Sequence, residues 1–214
     1  MKAIFSASSS KQVSVIPIRL RMRRFFSEFR DYNRIAKIDK IVRRYFLMNT
    51  FDGLMIILGL MLGSMISGLS EPELVIKVSI AAAIAMAVSG IWGAYMAEHA
   101  ERARELKKLE RVTMHKLRNT KIERAFYAAS IIVAFVDGIS PVLATMAVLI
   151  PFFIPGISIM AMYMASIAIA FSILALLGLF TAIVAKERIV PSIIRMLLAG
   201  VLSAVLGKVI LRIF

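Results

Sequence analysis

The sequence predicts an all-α integral membrane protein with five transmembrane helices, the second of which extends into the cytoplasm. The chain has 214 residues, of which 60% are apolar, and its mean hydropathy is +0.83. A soluble domain is closer to half apolar and about 25% charged, whereas 19% of this chain is charged. The charges are clustered and leave long apolar windows between them. This pattern excludes a soluble enzyme and a disordered chain.

Windows without charged residues locate the five spans, since a span needs roughly 20 apolar residues. The longest window, residues 125–185, contains a single charge, Asp137. It is too long for one helix, and the Pro and Gly residues at 151–156 divide it into spans 3 and 4. The predicted spans are residues 47–69, 76–97, 125–150, 157–185 and 190–210.

Span 2 is expected to continue as a helix into the cytoplasm through about Leu109. Residues 97–111 contain no Gly or Pro and are rich in good helix formers. The predicted organisation is therefore a basic N-terminal segment, residues 1–46, followed by a five-span domain, residues 47–214. A cytoplasmic helical loop occupies residues 98–124.

The basic residues predict the orientation in the membrane. Residues 1–50 hold 12 Lys and Arg, the loop 98–124 holds nine, and the loops after spans 1 and 3 hold none. Basic loops stay in the cytoplasm, so we expect a cytoplasmic N-terminus and an outside C-terminus, in the plasma membrane if the source is prokaryotic. The net charge of +14 is then explained by the basic loops that set the membrane topology, and no nucleic-acid partner is expected.

The N-terminal segment has the pattern of an amphipathic helix. Basic residues alternate with apolar residues at spacings of three and four across residues 19–44. Such a helix is expected to lie on the anionic lipid of the inner leaflet. A solvated cytoplasmic helix is the alternative interpretation.

Asp137 is expected near the middle of span 3, where an ionisable side chain is a functional hypothesis by default. Pro141 frees the carbonyl oxygen of Asp137 from its helical hydrogen bond. With the Ser140 hydroxyl nearby, these oxygens could hold a cation, as in the discontinuous helices of transporters. Alternatively, Asp137 stays protonated and bonded to a neighbour in a kinked helix.

Asp52 and Met55 are expected on one face of span 1, about one turn inside its cytoplasmic end. A carboxylate beside a thioether suits a borderline divalent ion. Asp52 could instead sit at the interface, where the helix dipole favours an acid, or pair with Arg195.

Three glutamates after span 2, Glu98, Glu101 and Glu105, share one helix face. Their mutual repulsion would be relieved by a bound cation. A solvated face that includes Arg102, Arg104 and Lys108 is the alternative. Span 2 also carries small residues at four-residue spacing, which are typical of close helix contacts within a subunit or between subunits: Ala81, Ala85, Ser89, Gly93 and Ala97.

From residue 49 to the C-terminus, the chain resembles the vacuolar iron transporter (CCC1-type) family as a divergent member. The resemblance rests on order and spacing rather than on one motif: an Asp-Gly opening of span 1, a small-residue end of span 2, a Glu-bearing cytoplasmic helix and a span 3 with Gly and Pro. The matching residues are Asp52-Gly53-Leu54, Gly59, Gly63, Ser89, Gly93-Ala94-Tyr95, Glu98, Glu101, Glu105 and Glu110.

This resemblance implies a homodimer of five-helix subunits that moves Fe²⁺ or Mn²⁺ out of the cytoplasm in exchange for protons, along a path between subunits. The family's aspartate of span 1 matches Asp52. Two family positions differ, because a Met is replaced by Gly90 and a Glu by Ala94. The cytoplasmic metal-binding helices are largely absent, and Asp137 is not part of the family pattern.

The resulting prediction is a divalent-metal transporter, proton-coupled, without a tightly bound cofactor and not an enzyme. The predicted metal ligands are Asp52, Met55, Glu98, Glu101, Glu105 and Asp137. Two alternatives stay open. One is a non-transporting membrane scaffold, and the other is an intramembrane aspartyl hydrolase with Asp52 and Asp137 as its dyad. The dyad requires both carboxylates at one depth, whereas we expect Asp52 near the inner face and Asp137 near the midplane.

Overall fold

A computed structural model describes residues 32–211, and within this range the protein is helical without a strand. Five helices are long and apolar enough to cross a membrane, which confirms the predicted fold class. A short 3₁₀ helix, Ile150–Phe153, follows the third helix. The five are α1 (Ile38–Ile66), α2 (Pro72–Thr113), α3 (Lys121–Leu149), α4 (Ile159–Ala185) and α5 (Ile189–Leu211).

The first two helices are longer than the apolar windows. α2 runs for 42 residues to Thr113, which confirms its extension beyond the apolar span. α1 begins at Ile38, earlier than the predicted residue 47. Half of the predicted surface helix, residues 19–31 of 19–44, lies outside the described residues. Its described part is helical at residues 32–36, breaks at Lys37, where φ is 50°, and then joins α1.

Local signals explain where several helices begin. Pro72 occupies the first turn of α2, where its missing N–H costs nothing. Thr120 and Ser158 cap α3 and α4, since each side-chain oxygen accepts a hydrogen bond from the backbone N–H three residues later. These caps satisfy N–H groups that a helix start otherwise leaves unpaired.

α3 is the central helix and the most buried of the five. It packs against α2 on one side and α1 on the other, while α4 and α5 pair with each other and pack on α1. Glycines allow the close crossings. A Cβ atom at Gly53 would lie 2.7 Å from the Cα atom of Pro141, and one at Gly138 would lie 2.7 Å from the carbonyl oxygen of Ala87. These two contacts set the register of α3 against α1 and α2.

Candidate functional site

A cleft of about 560 Å³ opens between α1 and α2 on the outer surface of the helix bundle. It contains both residues that the sequence placed on one face of α1, Asp52 and Met55. Polar and thioether groups from α2 face them across the cleft. The cleft is lined by Asn49, Asp52, Met55 and Ile56 of α1 and by Ala85, Met86, Ser89 and Gly90 of α2.

Asp137 lies directly behind this cleft on α3, with only 5% of its surface exposed. The Nδ2 group of Asn49 donates a hydrogen bond to Oδ1 of Asp137 and a second one, of 3.0 Å, to the carbonyl oxygen of Tyr45. On the other side, a Cβ atom at Gly90 would lie 2.7 Å from Oδ2 of Asp137. Thus α1 and α2, the two helices that form the cleft, also enclose the buried carboxyl group.

The expected difference in depth between the two aspartates is wrong. The contacts of Asn49 with Asp137 and of Gly53 with Pro141 align α1 and α3. Asp52 lies between Asn49 and Gly53 in sequence, so the two carboxyl groups lie within about one helical turn, roughly 5 Å, of the same depth. No hydrogen bond joins these two described residues.

The oxygen cluster expected at Pro141 is only partly formed. α3 continues through Pro141 to Leu149, and the Asp137 side chain is turned toward α1 and α2. The Ser140 hydroxyl donates its hydrogen bond to the carbonyl oxygen of Val136 and so does not point to the Asp137 carboxyl group. Within the described residues, the side-chain donor to the Asp137 carboxyl group therefore comes from α1 and not from its own helix.

The three glutamates predicted as metal ligands beyond span 2, Glu98, Glu101 and Glu105, do not surround one empty position. Arg102 forms ion pairs with Glu98, at 3.7 Å, and with Glu105, at 2.7 Å. Glu98 is only 7% exposed and also lies 4.0 Å from Arg44 of α1. Glu101 points outward and is exposed. Arg102 thus supplies the positive charge that relieves the repulsion between these carboxylates.

Arg102 also connects the C-terminal part of α2 to the rest of the protein. Its side chain is 8% exposed, its Nη2 group donates to the carbonyl oxygen of Ala36 at 3.2 Å, and its guanidinium lies over the ring of Phe126. Buried charges are tolerated when they are paired in this way. The group Arg44, Glu98, Arg102 and Glu105 therefore has a structural explanation.

Arg195 does not pair with Asp52, which was the alternative for that aspartate. Its guanidinium binds Glu187 in the connection between α4 and α5. Within residues 32–211, neither Asp52 nor Asp137 has a basic partner. No group of three or more His, Cys, Asp or Glu side chains in this range is arranged to hold a metal ion. A cation in the cleft would therefore also need amide, hydroxyl or thioether ligands.

No protein-family model matches the chain. It is 30% identical over 174 residues to a protein of Methanocaldococcus jannaschii named Uncharacterized protein MJ0645, and the match covers 80% of this chain and 89% of the archaeal protein. The chain belongs to the family of this archaeal protein. The similarity extends across most of both chains.

Sequence reasoning missed Asn49, Met86 and Gly90 as parts of the site. Asn49 precedes Asp52 by three residues, and this spacing alone indicates a shared helix face. Met86 has the same spacing from Ser89. The sequence marked Gly90 only as a departure from the family pattern, because its contact with Asp137 depends on the side chain that α3 places beside it.

Proposed function

We propose that this protein transports a divalent transition metal, Fe²⁺ or Mn²⁺, out of the cytoplasm in exchange for protons. The observation that carries the proposal is a pair of carboxyl groups, Asp52 and Asp137, at similar depth beside an intramembrane cleft and without a basic partner in the described chain. A carboxylate left unpaired in hydrocarbon is costly, so it tends to hold either a proton or a cation.

The chemistry of the cleft supports a transition metal as the substrate. Asp52, Asn49 and Ser89 offer oxygen atoms, and Met55 and Met86 offer thioether sulfur. Oxygen ligands suit Mn²⁺ and the harder cations, whereas thioethers favour softer metals. A mixed set of this kind fits borderline ions such as Fe²⁺ better than Na⁺ or Mg²⁺.

A homodimer is part of the same proposal. The five small residues of α2 between Ala81 and Ala97 are all exposed, and nothing lies within 4 Å of a Cβ atom placed at Gly93. Ala85 and Ser89 belong both to this small-residue stripe and to the cleft lining. A second copy packed on the stripe would therefore cover the cleft, consistent with a path between subunits.

The test is metal uptake into proteoliposomes that contain the full chain, measured for Fe²⁺, Mn²⁺, Co²⁺ and Zn²⁺ with and without a pH gradient. Asp52→Asn and Asp137→Asn keep the side-chain shape but cannot ionise. We expect both to fold and to lose metal-dependent proton movement. Glu73→Gln is the matched control, because Glu73 is an exposed acid at the start of α2.

Other outcomes would favour the alternatives. An absence of flux in correctly inserted wild-type protein would favour a membrane scaffold. Peptide cleavage that disappears in both aspartate variants would favour a hydrolase. The two carboxyl groups share no hydrogen bond, so the structure offers no preformed proton-sharing dyad.

A further inference from the structure

Asn49 separates the cleft from the buried carboxyl group of Asp137. Its side chain lines the cleft, and its amide nitrogen donates to Oδ1 of Asp137 and to the backbone of Tyr45. An Asn amide has two N–H donors and one carbonyl acceptor. Both donors are in use, which leaves the amide oxygen as the free ligand of this side chain.

Gly90 is the second residue that lies between the cleft and the carboxyl group of Asp137. It also lines the cleft, and any side chain at this position would begin 2.7 Å from Oδ2 of Asp137. Nonbonded heavy atoms prefer separations of about 3.5–4.0 Å. The carboxyl group therefore occupies space that only glycine leaves open. One oxygen of Asp137 is held by Asn49, and the other faces the gap at Gly90.

We infer that Asn49 is a gating and positioning residue of the transport path, and that Gly90 is required for access to Asp137. This inference rests on the proposed transport function. When the Asn49 amide turns away from Asp137, a divalent cation in the cleft near Asp52 reaches the buried carboxyl group. The amide oxygen of Asn49 and the carboxylate of Asp137 then both serve as oxygen ligands of the cation. Mn²⁺ suits such ligands and is therefore the probe ion.

A purely structural role for Asn49, as a hydrogen bond between α1 and α3, makes a different prediction. In that case its loss lowers stability but leaves the accessibility of Asp137 in the folded protein unchanged. The accessibility of a membrane-buried carboxyl group can be measured directly with the apolar reagent dicyclohexylcarbodiimide. Modification at Asp137 and at Asp52 is then quantified separately by mass spectrometry of the full-length protein.

Asn49→Ala removes the side chain that separates Asp137 from the cleft. We therefore expect Asp137 to be modified about two- to tenfold faster, which is the rate change that corresponds to the loss of one hydrogen bond with a net value of about 0.5–1.5 kcal/mol. Met48→Ala is the matched control, since Met48 is the preceding residue and faces outward. Gly90→Ala fills the gap, and we expect roughly tenfold less Mn²⁺ flux. Gly207→Ala, on α5 and also with open space around it, should transport like the wild type.

The outcomes separate this inference from the transport proposal. Wild-type flux with equal modification of Asp137 in Asn49→Ala and Met48→Ala overturns the gating role alone. Equal flux in Gly90→Ala and Gly207→Ala overturns the requirement for glycine at position 90. Wild-type vesicles with neither Mn²⁺ nor Fe²⁺ flux overturn the transport proposal itself, and the inference that rests on it.

Discussion

The crossing of α1 and α3 at Gly53 predicts a large difference between two otherwise similar substitutions. Gly53→Ala would place a Cβ atom 2.7 Å from Cα, 2.9 Å from Cβ and 3.2 Å from the carbonyl oxygen of Pro141. Two of these atoms belong to the backbone, so the clash is relieved only if the helices separate. Gly59→Ala, on the same helix, meets nothing within 4 Å.

Both substitutions gain about 1 kcal/mol of helix propensity, so this contribution cancels in the comparison. The remaining difference is the cost of overpacking at Gly53, about 1–3 kcal/mol. For a chain of this size, each kcal/mol changes Tm by about 2–4 °C. We therefore expect Gly53→Ala to unfold at least about 2 °C below Gly59→Ala.

Circular dichroism of the purified full chain in detergent measures this difference, by heating and by titration with a denaturing detergent. Gly59→Ala changes only the helix propensity, so this variant should be at least as stable as the wild type. Equal stability of the two variants would contradict the reasoning, because it would mean that α1 and α3 do not approach closely at Pro141.

Three further predictions concern other parts of the protein. Arg102→Met leaves the buried Glu98 without its nearest partner, so we expect the free energy of unfolding to fall by about 3 kcal/mol or more and hydrogen exchange to become faster in the C-terminal part of α2. Exchange like the wild type would contradict the role of Arg102 in holding this part of α2 to α3. Tyr163→Phe removes the hydrogen bond of 3.0 Å to the carbonyl oxygen of Leu69 and should cost about 1 kcal/mol in detergent unfolding. The chain has no cysteine, so single cysteines at Ser8 and Phe214 should react with impermeant thiol reagents from opposite sides; labelling of both from one side would contradict the odd number of spans.

The number and order of helices could be predicted from the sequence, because an apolar membrane requires long uncharged windows. The start of α1 could not be predicted in this way. Residues 38–46 include Asp39, Lys40, Arg43 and Arg44, so a search for uncharged windows stops at residue 47. A helix can continue past the apolar core of the membrane, where its charged side chains reach water or lipid headgroups.

The depth of the two aspartates was misjudged for a related reason. Asp52 is the fifteenth residue of α1 and Asp137 the seventeenth residue of α3, so both lie almost equally far from their helix starts. A start of span 1 at residue 47 instead predicts that Asp52 lies far nearer the cytoplasm. The pairing of Asp52 with Met55 needed only helical periodicity, whereas the contact of Asp137 with Asn49 depends on how α1 and α3 cross.

Because α2 is one unbroken helix, a small rotation about its N-terminal end produces a larger movement at its C-terminal end. Its 42 residues span about 63 Å, with Gly90 roughly 27 Å from Pro72. Rotation about Pro72 would move Thr113 a little more than twice as far as Gly90. A shift of about 1 Å in the gap beside Asp137 thus becomes more than about 2 Å at Thr113. Arg102 joins the C-terminal part of α2 to Phe126 of α3, and this contact resists the rotation.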